Sequence, residues 1–176
     1  MYNSGELFNS ISMLPAIPYA FYRAYNMKHM QFISPIAYAV MCKLSALHHL
    51  ISHANGKPSM NWLKYDLVAQ MVACIVTGVH TTYGVHGAMC ITCLMLAHLK
   101  FINLNIKKHR YIAYGFNGIS ILLSTGDVSI VLHWIASFSL FGLGLLIPNR
   151  YTHTLFHVYN HVNMSMVWNS FALMQK

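Results

Sequence analysis

Charge is what this chain has least of. Only 8% of its 176 residues are Asp, Glu, Lys or Arg, and just three are acids: Glu6, Asp66 and Asp127. Soluble domains carry about a quarter charged residues, so the composition speaks against an ordinary soluble surface. The segment Met1 to Glu6 has no positive charge ahead of the first apolar stretch and no small-residue cleavage site, so no cleaved signal peptide is expected. Internal repeats, low-complexity tracts and long polar insertions are also lacking, which argues for one domain over residues 1–176. The four cysteines, Cys42, Cys74, Cys90 and Cys93, all fall in apolar runs, where they read as small buried hydrophobes and give no redox compartment.

What remains is apolar: 56% of the chain is hydrophobic. The expectation is an all-α, polytopic membrane protein, a bundle of seven transmembrane helices. The runs cover about residues 7–25, 32–53, 62–79, 87–102, 111–124, 128–147 and 150–173, most of them near the roughly 20 residues a spanning helix needs. Pro15 and Pro18 should kink or loosen the first run. Asn55-Gly-Lys-Pro-Ser59 is a turn by its residue types. The net charge of +8 raises nucleic acid as a partner. However, the basic residues sit in short turns between apolar runs, so they read as topology signals and no nucleic-acid partner is expected.

The polar residues inside the runs carry the chemistry. His153, His157 and His161 are spaced four apart, just over one helical turn, and so share one helix face on which two neighbouring imidazoles can share a small cation. Two ring nitrogens are too few to hold a metal. The nearest analogue elsewhere is Ser45-Ala-Leu-His-His49, followed by Asp66. With spans alternating in direction, the second ends, the third begins and the seventh begins on the same side, so His49, Asp66, His153 and His157 should meet within about two helical turns of one surface. Lys57, Lys64, Lys100, Lys107, Lys108, Arg110 and Arg150 share that side, and Arg23, Lys28 and Lys176 the other. Basic residues favour the cytosol, which predicts a cytosolic N-terminus and an extracytosolic C-terminus. His48 could exchange roles with His49. Cys90 and Cys93 read as packing, and the remaining histidines as interfacial or hydrogen-bonded core residues.

The set Ser45-xxx-His49, Lys64-Tyr65-Asp66 and Thr152-His-Thr-Leu-Phe-His-Val158 resembles the seven-helix superfamily of the progestin and adipoQ receptors, the haemolysin III proteins and the alkaline ceramidases. It is most similar to the receptor and haemolysin III branch. The resemblance covers the second, third and seventh runs. It implies that His49, His153 and His157 are zinc ligands, that Asp66 holds or activates the water beside them, and that Ser45 hydrogen-bonds within the site. His161 falls outside the pattern, and Lys43 has no counterpart in it. Three neutral imidazoles leave a tetrahedral position open, as hydrolytic zinc sites do. The function expected is a zinc-dependent integral-membrane hydrolase of a lipid amide or ester bond, ceramidase-like, with a membrane lipid as substrate. The alternatives are a receptor or lipid-sensing modulator with structural zinc, and a transporter or proton relay built on the histidines and Lys43.

Overall fold

The computed structural model of the chain describes residues 2–27, 29–77, 127–146 and 151–173. The fourth and fifth runs lie outside the described residues, with His80, His86, Cys90, Cys93, His98, Lys100 and the basic turn Lys107 to Arg110. So do Lys28, Arg150 and Lys176. The described residues are all-α, as expected: α1 (Tyr2–Met13), α2 (Ala16–Asn26), a 3-10 turn (His29–Phe32), α3 (Ile33–Asn55), α4 (residues 60–77), α5 (Val128–Leu146) and α6 (Thr152–Leu173).

Local chemistry explains the element ends. The first run is two helices, not one kinked helix, because Leu14 and Pro15 turn the chain between Met13 and Ala16. Pro15 occupies the N-cap of α2, and Pro18 and Pro35 are the third residues of α2 and α3. An N–H in a helix's first turn has no intrahelical acceptor, so proline removes nothing there. Gly56 ends α3 with φ 64° and ψ 9°, a left-handed conformation that favours glycine, and its N–H reaches the His53 carbonyl at 3.2 Å. Asp127 Oδ1 accepts the Ser129 N–H at 2.8 Å and caps α5.

α3 is the axis. α1 runs antiparallel to it, with Glu6 beside His49 and Ser10 Oγ donating to the Ala46 carbonyl at 3.0 Å. α4 returns along α3 so that Thr77 meets Ser34 Oγ at 2.8 Å, and Trp168 of α6 donates to the same Ser34 oxygen at 3.2 Å. α5 packs on α6. Small residues on facing helices, among them Ala16, Ala20, Ala39 and Ala46, leave room for close approach. Trp168, the largest fully buried side chain among the described residues, fills the core edge-on to Tyr38, with ring centroids 5.4 Å apart. Tyr22, Tyr25, Leu132 and Leu146 face outward, as expected where apolar residues outnumber core positions.

Among the described residues, no helix is long and apolar enough to cross a membrane. This corrects the expectation of a multi-pass integral membrane protein, and with it the assignment of cytosolic and extracytosolic termini. It also leaves the seven transmembrane spans unsupported. The physical reasons are local. α1 and α2 have 12 and 11 residues, well short of the roughly 20 needed. α3 carries Lys43 near its middle and gathers His48, His49, Ser52, His53 and Asn55 in its second half, and α6 carries three histidines and three asparagines.

Candidate metal centre

The end of α3 and the start of α6 bring His49, His153 and His157 together, with one nitrogen of each ring within 4.8 Å of the other two. Ring centroids are 5.3 Å apart for His49–His153 and for His49–His157, and 4.4 Å for His153–His157. The close pair is the i, i+4 pair on α6. Two nitrogens on one tetrahedral zinc are about 3.4 Å apart. The 4.8 Å limit is wider than that spacing, so ligation by all three would draw the rings closer together. The group could hold a metal ion.

Hydrogen bonds from α1 decide which nitrogens are available. Glu6 Oε2 lies 2.6 Å from His49 Nδ1. A carboxylate accepts, so Nδ1 carries the proton and Nε2 keeps its lone pair. Ser12 Oγ donates to the Asn9 carbonyl at 2.8 Å and lies 3.0 Å from His157 Nδ1. With its own proton committed, Ser12 accepts from His157, which again frees Nε2. Burial, then the neighbouring His153 and His49, hold the His157 pKa well below its ordinary value, so the ring is neutral and can act as a ligand.

Asp66 of α4 is buried beside this group. Burial raises its pKa, while a hydrogen bond from Gln70 Nε2 at 3.0 Å, then His49, His48 and Ser45, pull it back. Ser45 is buried on α3, close enough to Asp66 to favour its ionised form. His48 is buried on α3 with its ring centroid 5.0 Å from that of His49, and its Nδ1 has no partner. It does not belong to the ligand group. The exchange of roles with His49 is not what the fold adopts. Lys43 points outward, away from the core.

His161 has a different task. Its Nε2 donates to the Ser12 carbonyl at 3.0 Å, and its Nδ1 accepts from the Tyr38 hydroxyl at 2.6 Å. Both nitrogens are used, so His161 ties α1, α3 and α6 together and has none to offer a metal. Asn163, part of a sequon, is fully buried and closed to modification.

Glu6, Asn9 and Ser12 are the site residues the sequence reading passed over. Their signal was the i, i+3, i+6 spacing of three polar side chains, which puts all three on one helix face. An asparagine and a serine carry no metal signature, and Glu6 stood at a run end. The chain matches no protein-family model, no curated protein and no solved structure, so the superfamily resemblance rests on its own residues.

Proposed function

We propose that the chain is a zinc-dependent hydrolase of a lipid amide or ester bond. The observation that carries this reading is an apolar cleft whose lining includes His157 of the histidine cluster. The cleft has about 40 Å³ of room inside and opens partly to the surroundings. Met13, Met41, Met164, Phe138 and Phe156 form its apolar walls, and Ser45, Gln70 and His157 lie in its lining. Such a lining suits an acyl chain whose polar end reaches the centre. The shared pattern of Ser45, His49, Asp66, His153 and His157 supports the same substrate class.

His49, His153 and His157 would hold the metal. When bound, zinc would polarise a carbonyl and lower the pKa of its water to about 7. Asp66 takes the proton from the attacking water and returns it to the leaving group, a task suited to a carboxyl whose pKa burial has raised. Gln70 fixes that carboxyl. Ser45 Oγ, buried beside Asp66, is the hydroxyl that would donate to the substrate carbonyl. The methionine and aromatic walls exclude water and orient the chain.

The test compares wild type with Asp66→Asn for metal content and for hydrolysis of an N-acyl amide in detergent. The hydrolase reading expects equal metal and at least a hundredfold loss of turnover in the variant. Metal in both with no turnover in either would assign the site to a receptor or lipid-sensing modulator with structural zinc.

A further inference from the structure

α1 contributes no metal ligand, yet one of its faces meets the histidine group in three consecutive turns. Glu6 contacts His49, Asn9 contacts the start of α6, and Ser12 contacts His157. We propose that this face is the outer coordination shell of the centre, and that Glu6 is the residue that fixes His49 for ligation through Nε2. The inference rests on the metal reading above and goes beyond it, because it assigns metal affinity to a helix outside the ligand set.

Three observations support it. The Glu6–His49 contact is short, at 2.6 Å, and largely shielded, with side-chain exposures of 14% and 7%. A carboxylate on the far nitrogen of a liganding imidazole fixes ring orientation and tautomer and makes the ligand more basic. Glu6 and Asp66 also place two of the chain's three acids around one group of imidazoles. A divalent cation would balance two carboxylates that are otherwise costly to bury. Finally, Asn9 locks the register of the shell. Its Oδ1 accepts from Thr154 Oγ1 at 2.7 Å, and its carbonyl accepts the Ser12 proton, which leaves Ser12 free to accept from His157. Glu6 and Ser12 each touch a ligand directly, and Asn9 holds α1 against the start of α6.

The experiment titrates the purified full chain with Zn²⁺ against a competing chelator, and with Co²⁺ followed by its visible absorption. It uses wild type, Glu6→Ala, Glu6→Gln and Ser12→Ala, with helical content checked by circular dichroism. Tyr38→Phe is the control, since it weakens the fold through His161 and touches no ligand. Glu6→Ala is expected to lose about 10- to 100-fold in affinity, the usual range for such partners. Glu6→Gln can still accept the Nδ1 hydrogen, so it should lose less and shift the Co²⁺ spectrum, while Tyr38→Phe should stay within twofold of wild type. Should Glu6→Ala not fold, the near-isosteric Glu6→Gln carries the test. Wild-type affinity in the folded Glu6 variants overturns the outer shell and leaves the metal centre standing. Equal losses in Tyr38→Phe and the Glu6 variants overturn it too, by making Glu6 a merely structural residue. Wild type that takes up no metal overturns the metal reading itself.

Discussion

Replacing Tyr38 by Phe isolates the claim that His161 is a strut and not a ligand. The substitution removes one oxygen from a fully buried ring and leaves its packing against Trp168, with centroids 5.4 Å apart, in place. His161 Nδ1 loses its only donor, at 2.6 Å, and Asn160 Nδ2 loses an acceptor at 3.4 Å. The longer contact is weak. The cost is therefore mainly that of one unsatisfied, largely buried acceptor, about 1–3 kcal/mol. For a chain of this length, each kcal/mol moves Tm by roughly 2–4 °C, so a fall of about 4–8 °C is expected for a mid-range loss. Thermal unfolding followed by circular dichroism, with and without metal, reads this directly. The increment in Tm caused by metal should survive, since the hydroxyl touches no ligand. A loss below about 0.5 kcal/mol, or disappearance of the metal-dependent increment, would refute the reasoning.

Other consequences can be tested in the same preparations. His157 is held below its ordinary pKa, so above pH 6.5 its folded and unfolded states are both neutral; below that value the unfolded chain binds a proton first, and metal-free stability should fall as pH drops, by at most about 1.4 kcal/mol per pH unit from this residue. Melts in chelator between pH 7.5 and 5.5 should show that slope, and His157→Gln should flatten it. Ser34→Ala strands the hydroxyl of Thr77 and the indole N–H of Trp168, and urea unfolding should show a loss of about 1–3 kcal/mol. Gly56→Ala places a Cβ at φ 64° and should cost about 1–2 kcal/mol in the same assay, with no effect on metal affinity.

How much could be read in advance differed from residue to residue. His153 and His157 were legible because four residues of helix fix their relation locally, and His49 because antiparallel helices of known length return to the same end. The outer shell was not legible, because Glu6 reaches His49 across 43 positions of sequence and only packing puts them together. His161 stood as the third member of the helix-face stack, outside the ligand pattern. Its neighbours on α1 and α3 took both nitrogens, which no spacing rule along α6 can reveal. Pro15 and Pro18 were read as a kink, whereas two prolines in one first turn are also the mark of a helix start, and that is what they make here. The membrane assignment took each apolar run as one span, whereas the first run is two short helices and others carry polar side chains within them. In α3 and α6 they fall within the long helices and interrupt each apolar stretch.

Metal analysis of the purified chain beside a His157→Ala variant tests the central claim most directly. A three-imidazole centre predicts close to one equivalent of metal in the wild type and little or none in the variant, with helical content retained in both. Equal metal in the two proteins, or none in either, would contradict it.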